Sequence, residues 1–207
     1  MRTSWGPIAV HGAVFVACLG VWQLAQGAYI PAKAWLAQAL MQHAWNSARE
    51  GEHQPTPWPW ADTWPVARLS SGGDGDDIDL IVLAGSSGRT LAFGPGHLSE
   101  SALPGTSGNA VIAGHRDTHF RFLQSLGVGE SLLIETPSGH EHRYTVTAVE
   151  IVDSRSARLL LDTDDSLLSL VTCYPFDAIE RGGPMRYVVT AKITHGEWPI
   201  PASHPQP

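Results

Sequence analysis

The sequence from residue 66 to residue 193 divides into short apolar stretches that predict β-strands. Each stretch is β-branched or alternates apolar with polar residues, as in YTVTAVEIV, and Gly, Pro, Asp or Ser bounds each one. Eight short strands separated by turns indicate an all-β sandwich or closed barrel. The predicted strands are Val66–Leu69, Asp79–Ala84, Thr90–Phe93, Ala110–Ala113, Ser131–Glu135, Arg143–Val152, Ser166–Thr172 and Tyr187–Ile193.

The N-terminal stretch from Thr3 to Ala32 contains no Asp, Glu, Lys or Arg. A membrane-spanning helix needs about 20 mainly apolar residues, whereas the apolar region of a cleavable signal peptide has about 7–15. We therefore predict an uncleaved single-pass anchor over residues 1–32, with cleavage near the AQGA sequence at 25–28 or a buried core helix as alternatives. Arg2 favours a cytoplasmic N-terminus, which would place the remainder of the chain in the periplasm or outside the cell.

The predicted domain boundaries follow changes in composition. Residues 33–65 predict a helix followed by a linker, because residues 55–65 contain four prolines and three tryptophans. Residues 66–195 form the predicted barrel, in which the SSGGDGDD stretch at 70–77 is interpreted as a solvated acidic turn. Residues 196–207 are Pro-rich and predicted to be disordered.

Charge and cysteine content exclude several classes of protein. Charged residues make up 16% of the chain and the formal net charge is -7. No run of Lys or Arg is present, so we predict no nucleic-acid partner. The chain has two cysteines, Cys18 and Cys173, which is too few for a disulfide framework, and we predict that both are free thiols.

Three residues at predicted strand ends are candidates for chemistry. Cys173 ends the strand in SLVTCYPF, His115 follows the strand in AVIAGHRDTHF, and Arg186 begins the strand in GGPMRYVVTAKI. A thiol beside an imidazole forms an activated nucleophile, and a nearby Arg can stabilise an oxyanion. Taken singly, each residue also fits a structural role, and Arg181 is an alternative to Arg186. His115 and His119 form HxxxH but lack the Glu of a zinc-protease helix, so we predict no metal. Acyl transfer by a thiol and an imidazole needs no organic cofactor, and we predict none.

These motifs resemble those of the sortases, a family of cysteine transpeptidases. LVTCYPF resembles the TLxTC active-site strand, with Ser169 where the first Thr usually stands, and VIAGHRDT resembles the histidine motif. Arg186 matches the arginine on the strand that follows the cysteine. The resemblance covers roughly residues 66–193. The single anchor and the Pro–Trp strap PWPWADTWPVARL most resemble the Gram-negative class of sortases.

The resemblance implies a fold and a reaction. The family fold is a closed eight-stranded β-barrel, here with an N-terminal transmembrane helix in the bacterial inner membrane. Cys173 would attack an LPxTG-like sorting signal of a secreted protein, His115 would protonate the leaving amine, and Arg186 would stabilise the oxyanion. Thr172 would support the substrate or the site. An amine acceptor would then resolve the acyl-enzyme.

Other readings stay open on the sequence alone. Water as acceptor would make the same site a hydrolase. A membrane-tethered barrel that only binds a partner predicts a buried Cys173, with His115 and Arg186 apart. An L,D-transpeptidase-type site requires His and Cys in one short motif, with SxGC-like residues before the thiol. The sequence LVTC does not match that motif.

Overall fold

The computed structural model describes residues 6–71, 78–178 and 182–194. The chain divides into two compact units, Met1–Leu40 and Met41–Pro207. Several sequence features lie outside the described residues: Arg2, most of the acidic turn, Arg181 and the Pro-rich tail.

The first unit contains most of a single long helix, α1 (Pro7–Arg49). The helix continues through residue 32, where the sequence suggested that the anchor ends. Between residues 10 and 36 its apolar side chains are exposed, and Leu24 and Ile30 are each 74% exposed. An 18-residue stretch of this helix has a mean hydropathy of 1.5, so the helix is long and apolar enough to cross a membrane. Exposed apolar side chains over this length are unfavourable in water and suit a lipid environment.

The second unit is a closed barrel of eight strands, which confirms the predicted fold class. The order around the barrel is β1-β2-β3-β4-β7-β8-β6-β5. The β2–β3 and β4–β7 pairs are parallel, and the other pairs are antiparallel. The strands are β1 (Pro65–Ser71), β2 (Asp79–Ala84), β3 (Gly96–His97), β4 (Gly108–Ala113), β5 (Ser131–Glu135), β6 (Glu141–Asp153), β7 (Ser166–Cys173) and β8 (Met185–Ile193).

The predicted strand Thr90–Phe93 is wrong. Residues Gly88–Leu91 form a short helix, α2, and the third strand is the two-residue β3. Ser87 caps α2, because its hydroxyl accepts a hydrogen bond from the Thr90 amide. This capping signal outweighs the β-branched and aromatic residues that suggested a strand.

Alternating side chains from the strands fill the barrel interior. Leu168 and Leu170 of β7, Ile112 of β4 and Val189 of β8 are fully buried in one core cluster. In β7 the residues of opposite parity, Ser169, Val171 and Cys173, therefore point away from this core. The barrel wall formed by β4, β7 and β8 thus has an apolar inner face and an outer face that ends at Cys173.

The linker after α1 lies along the barrel unit without regular strands or helices. Trp58 packs edge-on against Phe93, with ring centroids 4.8 Å apart, whereas Trp60 is 83% exposed. The last turns of α1 belong to this unit, and Trp45 is fully buried there. Arg49 forms an ion pair with Glu135 at 3.2 Å.

Candidate active site

Strand direction brings three distant sequence segments to one rim of the barrel. Because β4 and β7 are parallel, with Ala113 beside Val171, both strands end at the same rim. Strand β8 is antiparallel to β7, so it begins where β7 ends, and Arg186 lies directly across from Cys173. The residues that follow β4, end β7 and begin β8 therefore meet, although they are far apart in the sequence.

Cys173 is presented at this rim by the last position of β7. Its side chain is half-buried, while Thr172 beside it is 2% exposed. The alternation of β7 directs the thiol to the outer face of the wall. A half-buried thiol on an outer face is accessible to a substrate, whereas a thiol that only fills a core is enclosed.

His115 lies two residues beyond β4, in a turn that is fixed to the end of β7. The amide of Gly114 donates to the carbonyl of Val171 at 3.1 Å, and the Thr172 hydroxyl donates to the Gly114 carbonyl at 2.7 Å. The His115 carbonyl accepts a hydrogen bond from the Phe120 amide at 3.0 Å, which closes the turn. His115 itself is exposed. The backbone before the histidine is thus bonded to the two residues that precede the cysteine.

Gly114 allows this turn to lie close to the core. A Cβ at this position would lie 2.7 Å from the ring of Phe120. Because Phe120 is fully buried, the ring has little room to move. Any side chain at residue 114 would displace either the ring or the turn that carries His115.

We expect Thr172→Val to destabilise the protein by about 1–3 kcal/mol, because the buried Gly114 carbonyl loses its hydroxyl donor. Valine has nearly the same shape and suits a strand equally well. Urea unfolding of the full chain measures the change. Thr145→Val is the matched control, because the Thr145 hydroxyl bonds the Thr194 hydroxyl at the exposed surface. A cost no larger than that of the control would show that this bond does not hold the turn.

Arg186 occupies the first part of β8 and is half-buried. Its Nη1 donates to the carbonyls of Gly183 at 2.6 Å and Met185 at 2.9 Å. One bond is to the loop that precedes β8 and the other is to the first residue of β8, so together they fix the guanidinium at the rim. A guanidinium has five N–H donors in all, and the site thus has a fixed cation across from the thiol.

Sequence reasoning did not assign a role to several residues that surround this rim. A cleft of about 510 Å³ is lined by residues that follow His115 and Cys173. Arg116 on its wall is buried, at 7% exposure. Beside the cleft, Tyr174 stacks on Tyr187 with ring centroids 6.2 Å apart, and Phe176 packs edge-on against Tyr187 at 5.1 Å. The adjacency of Arg116 to His115 and of Tyr174 to Cys173 was the only sequence signal for them.

His119 lies close enough to His115 to be affected by its charge. Burial lowers the pKa of His119, and the positive charge of His115 lowers it further. His119 therefore resists protonation in the folded protein more than an ordinary histidine, whose pKa is about 6.5.

This shift predicts a pH-dependent contribution to stability. As pH falls below the unfolded-state pKa of about 6.5, the unfolded chain takes up a proton at residue 119 that the folded protein resists, so the free energy of unfolding decreases. The contribution levels off below the folded-state pKa. We expect the stability of the wild type relative to His119→Gln to decrease between pH 8 and pH 5 in urea unfolding. A difference that stays constant with pH would contradict this origin.

Within residues 6–71, 78–178 and 182–194, no three His, Cys, Asp or Glu side chains are grouped to hold a metal ion. The site instead offers a thiol, an imidazole and a guanidinium at one rim.

Comparison with known sequences identifies the family to which the chain belongs. The family model described as Sortase domain matches residues 74–194, which is more than half of the chain. Sortase D of Bacillus subtilis (strain 168) is 33% identical over 117 residues. This match covers 56% of the chain and 58% of the relative, so the chain spans less than two thirds of that protein's length.

Solved structures give the same fold. A Clostridium perfringens Sortase D5 transpeptidase matches with a TM-score of 0.56 and 23% identity, over 74% of this chain and 88% of the other. Sortase A from Corynebacterium diphtheriae matches with a TM-score of 0.58 and 24% identity, over 78% and 85% of the two chains. At these identities the likeness establishes the fold.

Proposed function

The chain belongs to the sortase family, whose members are cysteine transpeptidases, and from that premise we propose that Cys173 is its nucleophile. The observation that carries the proposal is the register between β7 and β8, which places Cys173 directly across from Arg186. The hydrogen bonds that link Gly114 with Val171 and Thr172 support the proposal, because they hold the turn bearing His115 beside the same strand end.

In the proposed reaction the Cys173 thiolate attacks the carbonyl of the scissile peptide bond in an LPxTG-like sorting signal. His115, as an imidazolium, donates a proton to the leaving amine while the C–N bond breaks. A thioester joins the substrate's N-terminal part to Cys173. The amine acceptor then attacks the thioester, Cys173 leaves as a thiolate, and the acceptor nitrogen gives up a proton to the imidazole.

Arg186 is proposed to stabilise the oxyanion that forms in both steps. The two bonds to backbone carbonyls come from Nη1, so the donors on Nε and Nη2 are the ones that a substrate oxygen would meet. A cation held by its own backbone needs little reorganisation when charge develops on the substrate. Thr172 is proposed to act on the site through the Gly114 carbonyl.

The same arrangement argues against a barrel that only binds a partner. That alternative predicts a buried Cys173, with His115 and Arg186 apart. Cys173 is half-buried and Arg186 is its cross-strand neighbour. Experiment will decide whether an amine or water attacks the thioester in the second step.

We further propose that α1 anchors the enzyme in a bacterial inner membrane by a single pass, with the barrel in the periplasm or outside the cell. The length and mean hydropathy of α1 support an anchor. The Pro–Trp strap supports assignment to the Gram-negative class of sortases. Protease protection of the chain in spheroplasts tests the orientation, because an external barrel is digested by added protease and a cytoplasmic barrel is not.

The test of the reaction uses the full chain in detergent with quenched LPxTG-like peptides, with and without an added amine. Mass spectrometry follows the products. A covalent adduct that carries the peptide's N-terminal part, and that converts to an amide when the amine is present, is the expected result. An adduct resolved only by water would favour a hydrolase. No adduct with any peptide would overturn the proposal.

A further inference from the structure

Arg116 carries a buried charge that bonds two backbone carbonyls and pairs with Asp117. Its side chain is only 7% exposed. Nη1 donates to the Pro175 carbonyl and Nη2 to the Ala178 carbonyl, both at 2.7 Å, and Nε lies 3.4 Å from Asp117. A buried charge is costly unless hydrogen bonds compensate it, so this geometry is strongly specified.

The two carbonyls belong to the loop that follows the candidate nucleophile. Pro175 and Ala178 lie two and five residues beyond Cys173, while Arg116 directly follows His115. The guanidinium therefore joins the segment after the histidine to the segment after the cysteine. The planar fork of an arginine suits two acceptors at once, which a lysine ammonium on a flexible stem does not match.

A second connection lies on the other side of the same two residues. Gly114, just before His115, is bonded to Val171 and Thr172, just before Cys173. His115 and Cys173 are thus each placed between two cross-links, one upstream and one downstream. Two connections restrict the spacing and orientation of the backbone segments that carry His115 and Cys173 more than one connection would.

We propose that Arg116 is a positioning residue that holds His115 and Cys173 in register for proton transfer. The inference rests on the proposed function, since it requires that His115 and Cys173 work as a pair. In this role Arg116 acts through the Pro175–Ala178 loop.

The test measures the reactivity of Cys173 itself, so it does not depend on knowing the substrate. The full chain in detergent, in a Cys18→Ala background, is alkylated with iodoacetamide from pH 5 to pH 10. We expect Arg116→Lys to lower the alkylation rate at neutral pH toward that of His115→Ala. In a His115→Ala background, Arg116→Lys should cause little further change. In turnover with an LPxTG-like peptide, kcat should fall about 10- to 100-fold with little change in KM, as for a small misplacement of reacting groups.

Arg68→Lys is the matched control. Arg68 of β1 donates two hydrogen bonds to Asp79, both at 2.5 Å, so the substitution also removes a two-pronged arginine interaction. Strand β1, however, lies on the opposite wall of the barrel from β7. We expect Arg68→Lys to lower the denaturation midpoint and to leave the alkylation profile unchanged. A profile shift equal to that of Arg116→Lys would show a general loss of packing and overturn the inference.

Arg116→Gln is prepared alongside Arg116→Lys, because the test needs at least one Arg116 variant that is folded. Circular dichroism shows which variants are folded. A folded variant with the wild-type alkylation profile overturns the inference while the proposed function stands. If His115→Ala itself leaves the profile unchanged, the Cys–His pair fails and the inference fails with it. If neither variant folds while Arg68→Lys does, Arg116 has a structural role only, and the positioning role is overturned.

Discussion

Replacing Cys173 with Ala is expected to abolish the covalent adduct and to lower turnover of an LPxTG-like peptide by at least about 10⁴-fold. The reason is that alanine offers no nucleophile at the one position where β7 delivers a thiol across from Arg186. Intact-mass spectrometry of the full chain, after incubation with peptide, measures the adduct directly. The substitution should leave the barrel folded, because residue 173 is half-buried on the outer face.

Cys18→Ala is the matched control for this experiment. Cys18 is exposed on α1 and should tolerate substitution without loss of adduct or turnover. An adduct that persists in Cys173→Ala and disappears in Cys18→Ala would contradict the assignment of the nucleophile. It would also remove the argument from strand register on which the proposed function depends.

Replacing His115 with Ala is expected to lower turnover by about 10²–10⁴-fold, the range typical of a general acid or base. Alkylation of Cys173 should become slower at neutral pH, because the thiol loses the neighbouring base that activates it. The measurement is the rate of iodoacetamide alkylation of the full chain between pH 5 and pH 10. The expected change is a lower rate at neutral pH.

His119→Gln is the control for the loss of an imidazole near the thiol. His119 is partly buried, and burial lowers its pKa, so it carries little positive charge at neutral pH. Its substitution should therefore change alkylation far less than His115→Ala does. Equal effects of the two variants would assign the acid–base role to the histidine pair and would contradict the assignment to His115 alone.

The strands that pattern could identify were those with a clear alternation or a β-branched composition. The predicted Asp79–Ala84 and Ser131–Glu135 match β2 and β5 residue for residue. The pattern failed at Thr90–Phe93, where the Ser87 cap selects a helix. It also missed β3, because two residues, Gly96 and His97, are too few to carry a period. That strand exists because β2 and β4 supply partners on both sides.

For the site, local motifs identified the candidate residues but did not show which residues contact one another in the fold. The strand endings at Cys173 and Arg186 were readable from sequence, and the family resemblance supplied their roles as expectations. Arg116 carried no signal of its own, because its acceptors are the backbone carbonyls of Pro175 and Ala178. Every residue has a backbone carbonyl, so residue type does not indicate which carbonyl accepts a hydrogen bond. Only the structure shows such a contact.

The sequence by itself determined the apolar N-terminal helix, the all-β composition of the barrel and the presence of a thiol, an imidazole and a guanidinium at strand ends. Those features depend on local composition and on period-two alternation, which neighbouring residues specify. Only the tertiary structure decided that β4 and β7 run parallel while β8 runs antiparallel to β7. Strand pairing is a contact between segments far apart in the chain, and it is this pairing that brings His115, Cys173 and Arg186 to one rim.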